Sequence, residues 1–178
     1  MSIQITIAQP LEMKQIREVQ RLSWLETYPN QELGILKSDI QKRFDNDDTP
    51  EGEQAMENRK KRFFQKNAIT YVVKDSNKIV GYCLAIHDEK ENRIQAIYLL
   101  NAYQGQGLGK QLIQKGINWL KDRNESLPIY LNVAEYNKSA IGFYEHIGFK
   151  KTGEILNDEF ITLPSGQVMF EIEMKLQE

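Results

Sequence analysis

Apolar and polar residues alternate over residues 3–8 (IQITIA), the period-two pattern of a β-strand. The period then lengthens. After Pro10, which suits a first helical turn, Leu11, Ile16, Val19, Leu22 and Leu25 or Glu26 recur at roughly helical spacing, and Pro29 stops the run. A second amphipathic stretch, about 32–44, places Leu33, Leu36, Ile40 and Phe44 on one side. Residues 45–54 (DNDDTPEGEQ) are acidic and rich in turn formers and read as a loop. Residues 53–66 read as helix, with Met56, Phe63 and Phe64 turned inward.

The pattern then changes to strands. Ile69–Val73 and Ile79–Ile86 flank Asp75-Ser76-Asn77-Lys78, a hairpin signal. Residues 93–100 predict a fourth strand. Leu108, Leu112, Ile113, Gly116, Ile117 and Leu120 mark a helix, and 129–133 a short β-prone run. Asn137 stands as the N-cap of a further helix, with Ala140, Ile141, Tyr144 and Ile147 along its face and Gly148 as its left-handed stop. Strands near 149–156 and 168–176 close the chain, separated by the turn Pro164-Ser165-Gly166. The order β–α–α–(α)–β–β–β–α–β–α–β–β predicts one α+β domain spanning 1–178, with a mixed, mostly antiparallel sheet.

The most informative stretch joins strand to helix. The apolar run Ile97-Tyr98-Leu99-Leu100 gives way to a polar, Gly-rich turn, and a helical pattern begins at Leu108. Glycine lets backbone N–H groups approach a ligand closely, and a helix start adds unpaired donors and a positive dipole end. Residues 104–110 therefore read as a phosphate site, although tight packing would also explain such a turn. A nucleotide P-loop is excluded because Lys110 is followed by Gln111, not Ser or Thr. A dinucleotide fingerprint is excluded because its third glycine falls on Lys110 or Leu112. What remains is Gln104-x-x-Gly107-x-Gly109.

That spacing resembles the acyl-CoA loop of the GNAT N-acetyltransferases, Gln/Arg-x-x-Gly-x-Gly/Ala. Residues 137–149 resemble the same family's ending, Asn-x-x-Ala-x-x-Phe-Tyr-x-x-x-Gly-Phe, at Asn137, Ala140, Phe143, Tyr144, Gly148 and Phe149. The detailed resemblance covers residues 93–155. It implies a three-layer α/β/α domain whose sheet is splayed between strands 93–100 and 129–133, with acetyl-CoA as co-substrate in the gap. It further implies that the Leu99 N–H supports the thioester oxygen and that Ile97, Tyr98 and Leu99 meet pantetheine. The pyrophosphate would rest on Gln104, Gly105, Gln106, Gly107, Leu108, Gly109 and Lys110. Lys110 reads equally as a solvated helix lysine. Tyr144 is implied as the proton donor to the leaving thiolate, its alternative being a core tyrosine with a satisfied hydroxyl. Asn137 caps the helix, contacts cofactor, or does both.

The general base is a departure. Many relatives carry glutamate at the position of Gln95, and glutamine takes no proton usefully; Gln95 with a water and Glu135 or Glu91 is the remaining route. Ser23-Trp24-Leu25-Glu26-Thr27-Tyr28 resembles the Thr-Phe/Trp-x-x-Thr-Tyr/Phe stretch of PaiA-type polyamine acetyltransferases. Trp24 and Tyr28 share a helix face and either line an amine slot or pack the core. The acidic residues Asp45, Asp47, Asp48, Glu51 and Glu53 either attract a polycation or form a solvated loop. The expected acceptor is a small-molecule primary amine such as spermidine or spermine. A protein N-terminal or lysine acetyltransferase and a non-catalytic acyl-CoA-binding domain are the rivals.

Composition narrows this further. A net charge of −2 and a pI near 5.8 give no sign of a nucleic-acid binder, and the basic cluster Arg59–Arg62 reads as a solvated helix face. No apolar run is long enough to span a membrane, and MSIQITIAQP lacks a leader's basic and apolar regions, so a cytoplasmic protein is expected. One cysteine, Cys83, excludes an internal disulfide and reads as buried core. His87 and His146 show no metal-ligand spacing, so no metal is expected. Strand 168–176 is offered as an edge that pairs across a homodimer.

Overall fold

Among the described residues seven strands form one sheet, in which the last strand of the chain lies inside and the strand before it forms one edge. A computed structural model describes residues 2–47, 49–156 and 162–177. Strand β1 (Ile3–Ile7) leads through a 3-10 turn at Pro10–Glu12 into α1 (Met13–Thr27). Helices α2 (Lys37–Lys42) and α3 (Pro50–Phe63) follow. Strands β2 (Ala68–Asp75), β3 (Lys78–His87) and β4 (Asn92–Leu99) form a meander. Then come α4 (Leu108–Arg123), β5 (Ile129–Ala134), α5 (Lys138–Ile147), β6 (Phe149–Leu156) and β7 (Glu171–Leu176). Every strand pair is antiparallel except β4–β5. The expected α+β, mixed, mostly antiparallel sheet is what the chain forms.

Strand alternation divides the core between two faces. On one, Cys83, Ala85, Ile94, Leu131, Val133, Ile172 and Met174 pack under α4 and α5. On the other, Val72, Tyr82 and Leu84 pack under α1 and Phe63. A third cluster around Trp24, Ile40, Phe44, Leu163 and Met169 closes the far end of α1. Helix α4 lies close to the sheet because Gly116 faces it: a Cβ there would stand 3.1 Å from Cys83 Sγ and 3.1 Å from Ile94 Cδ1.

Several expectations are corrected. The helix expected over 32–44 is reduced to Lys37–Lys42, because Asn30 and Ile35 pair around a turn in which Gly34 takes φ +67°. Leu11, Leu33 and Leu36 are exposed, not buried. The expected loop 45–54 ends early: Thr49 caps the Gly52 N–H, Pro50 takes the first helical position and α3 begins there. Asp48 of the acidic group lies outside the described residues. The final strand begins at Glu171, and it is not an edge. It sits between β5 and β6, so the expected pairing of 168–176 across a dimer has no free ladder to use. Among the described residues no helix is long and apolar enough to cross a membrane.

Candidate active site

The parallel pairing of β4 with β5 holds only at Asn92↔Ile129 and Arg93↔Tyr130. Beyond Arg93 the strands part. Arg93 pins the last rung: its guanidinium reaches Asn132 Oδ1 at 2.8 Å, Glu173 at 3.1 Å and Glu91 at 2.9 Å. From there the β4 backbone runs along a gap. The Leu100 N–H donates to Val80 O at 2.9 Å, and Leu99 lies opposite Gly81. Bonding alternates along an antiparallel ladder, so the peptide groups of Ile97 and Leu99 point away from β3 and into the gap. Those of Tyr98 point back to β3, opposite Tyr82. Of the three residues expected to meet pantetheine, Ile97 and Leu99 turn their main-chain groups to the gap, and Tyr98 turns its own to β3.

The approach of β3 to this strand depends on Gly81. A Cβ there would lie 2.7 Å from Leu99 Cδ1 and 2.9 Å from Tyr98 O. Gln95 is the extra residue of a β-bulge, since Leu84 faces Ala96 while Ala85 faces Ile94. Its exposed side chain lines a crevice of about 390 Å³ with Ile86, Asp88, Lys90, Glu91 and Arg93. Glu91 is held by Arg93 and lies eight residues before Leu99, about 26 Å along an extended strand. It is too far to activate an amine at Leu99. Glu135 is exposed.

The loop after β4 fits a diphosphate. Gly105 and Gly107 take φ +72° and +75°, which glycine adopts without strain, and a Cβ on either would meet nothing within 4 Å. No side chain caps the α4 start, and the first helical bond is Gln111 N–H to Gly107 O. The N–H groups of Leu108, Gly109 and Lys110 therefore face outward at the positive end of a 16-residue helix. Gly109 needs no unusual φ; it lies against the Phe143 ring. Gln104 is bonded within the loop and to the strand end. Its N–H bonds to Asn101 O, and its side-chain amide donates to Leu99 O at 2.9 Å and to Asn101 Oδ1 at 3.0 Å. It ties the loop to the strand end. Gln106 likewise donates to Ala102 O. Lys110 is exposed.

Tyr144 comes from α5, on the opposite wall. Asn137 accepts the Ala140 N–H at 3.1 Å and caps this helix, and Gly148 ends it with φ +110°. Tyr144 is 7% exposed and packs edge-on to Phe149. Burial raises its hydroxyl pKa well above the ordinary 10, and Tyr98, Cys83 and Glu171 nearby raise it further. Cys83 itself is buried, and burial pushes its thiol up to about 12, which leaves it an inert core residue.

A row of aromatics crosses the α1 side of the gap. Tyr98 accepts from Trp24 Nε1 at 2.8 Å and contacts the Tyr28 hydroxyl. Tyr136 donates to Tyr28 O at 3.0 Å. Trp24 is buried, with the Arg43 guanidinium 5.0 Å above its ring. It backs the site, while Tyr28 and Tyr98 remain half-exposed at its wall. Asp45 and Asp47 do not form a free acidic loop: Asp45 accepts from Gln41, and Asp47 pairs with the buried Arg17 at 2.7 Å. Glu171 joins this row from the start of β7 and was not singled out from the sequence. Its strand was read from alternation, but its neighbours are set by the insertion of β7 between β5 and β6.

Residues 20–149 match the model of the acetyltransferase (GNAT) family. The chain belongs to the GNAT family. Among curated GNAT relatives, human N-acetyltransferase 8B is 32% identical over 90 residues, covering 47% of this chain and 39% of that protein. The spermine/spermidine N(1)-acetyltransferase of Bacillus subtilis (strain 168) is 34% identical over 70 residues, covering 38% of this chain and 46% of that one. The matched stretch thus spans less than half the length of either relative. The PaiA N-acetyltransferase of Thermoplasma acidophilum, solved with coenzyme A, shares the GNAT fold at a TM-score of 0.70, with 19% identity and full coverage of both chains. The ribosomal-protein-S18-alanine N-acetyltransferase of Escherichia coli shares it at 0.64, with 18% identity, 98% of this chain and 93% of that one. Among the described residues no group of three or more His, Cys, Asp or Glu is placed to hold a metal.

Proposed function

We propose that this protein transfers the acetyl group of acetyl-CoA to a primary amine of a small molecule, with polyamines such as spermidine and spermine as the leading acceptors. Attack is direct, within a ternary complex. The observation that carries this reading is the β4 edge: the Ile97 and Leu99 peptide groups face a gap that begins where β5 parts from β4, with unpaired helix N–H donors at its mouth. Pantetheine amides fit that edge as a missing strand would, and the diphosphate fits the N–H groups from Gly105 to Lys110.

A thioester is already activated, so the protein's work is alignment and charge. The Leu99 N–H supports the oxygen as it becomes negative. Tyr144, held neutral by burial, gives its proton to the leaving thiolate. The polyamine reading rests on the Trp24–Tyr28 stretch and on the name of one relative. Its test is thiol release from acetyl-CoA with spermidine, spermine, other small amines and short peptides bearing free N-termini, each against the acceptor-free rate. Selective release with polyamines supports the reading. Selective release with peptides replaces it with protein acetylation, and binding without release on any acceptor replaces it with a non-catalytic acyl-CoA-binding domain.

A further inference from the structure

The base absent at Gln95 has a replacement on another strand. On β7, Ile172 and Met174 point into the core under α4 and α5, so Glu171 and Glu173 lie on the other face, that of Tyr98 and Trp24. Glu173 sits opposite Asn132 and binds Arg93, at the last rung before the strands part. Glu171 stands one same-face step further, about 7 Å, toward the open end of the gap. Its β5 neighbour on that face is Ala134. We propose that Glu171 is the general base of the reaction, taking a proton from a cationic ammonium acceptor held between Tyr28, Tyr98 and Tyr144.

This deepens the function proposed above and rests on it. The three tyrosines come from α1's end, β4 and α5, and all of them register the Glu171 charge. Burial raises each hydroxyl pKa, and the Glu171 carboxylate adds to the rise at each. A carboxylate beside phenol rings attracts an ammonium by charge and by the ring faces. Charged groups near this face include the Arg93–Glu173 pair below and Arg43 behind Trp24. The protons balance. Glu171 takes one from the ammonium, and the freed lone pair forms the C–N bond to the acetyl carbon as the C–S bond breaks. The thiolate takes the Tyr144 proton, and the remaining surplus N–H proton returns to the tyrosine oxygen. Glu171 then passes its proton to water, one per turnover.

Glu171→Gln tests this, with acetyl-CoA as donor and spermidine as acceptor, or whichever panel amine the wild type turns over best. The amine kcat/KM is expected to fall about 100- to 10,000-fold near neutral pH, while the acetyl-CoA Kd stays within about twofold. The variant's residual rate should climb about tenfold per pH unit as the amine itself deprotonates, where the wild type levels off. Glu171→Asp keeps a carboxylate and should regain part of the rate. A Gln variant with wild-type kcat/KM or an unchanged pH profile overturns the proposal alone. So does an equal loss in both variants with a lowered Tm, which marks a structural role. A wild type with no acceptor-dependent release on any amine overturns the proposed function, and this inference with it.

Discussion

Burial suits Tyr144 to the proposed role of proton donor. A phenol whose pKa is raised keeps its proton through neutral pH, and only a strong nearby base, such as a departing thiolate, draws it off. Tyr144→Phe removes the proton and little of the packing. Acceptor turnover is expected to fall at least about 100-fold while the acetyl-CoA Kd moves less than about threefold, measured by steady-state thiol release and calorimetry. At this scale much was legible: the glycines at 105 and 107, the Asn137 cap and the Gly148 stop all follow from local backbone demands. The tie from the Gln104 amide to Leu99 O was not legible, because only the folded chain brings the two together. Glu171 was not legible, since its chemistry depends on tyrosines from three other elements.

The elements follow their period where a core faces them. Helix α4 buries Leu112, Ile113, Ile117 and Leu120, the stripe its sequence predicts. Gly116 on that stripe sets how closely the helix lies. Gly116→Ala forces its new methyl against Cys83 and Ile94, at a cost of about 1–3 kcal/mol in denaturant unfolding. Pairing it with Cys83→Ala, which removes the sulfur, should recover part of the loss. Because α4 carries the proposed diphosphate donors on its first turn, acetyl-CoA affinity should fall with the single variant and return with the double. The period misled where no core supported it: Leu33 and Leu36 have helical spacing but face solvent, and Gly34 turns the chain. Composition misled at 45–54, where Thr49-Pro50 was a local helix start within an acidic run.

Across the whole molecule, strand order was the part least visible in the sequence. Each strand could be read from alternation, an apolar run or flanking turns, but nothing local places β7 between β5 and β6. The buried phenols make a collective prediction. Burial raises the pKa of Tyr28, Tyr82, Tyr98 and Tyr144, and lifts Tyr136 from 10.0 and Cys83 from 9.0 to about 12. Groups with raised folded-state values contribute their stability below their unfolded values and lose it as pH rises toward the folded ones. Tm should therefore hold to about pH 9, decline beyond it, and drop more steeply above 10. A calorimetric series from pH 7 to 11.5 checks this, and a flat Tm to pH 11 would contradict it. The alternation at the gap also gives β4 two rhythms of solvent exchange. The Tyr98 and Leu100 amides are locked to β3, while those of Ile97 and Leu99 face the opening. Deuterium should enter that strand at every second residue, and a bound thioester should erase the contrast.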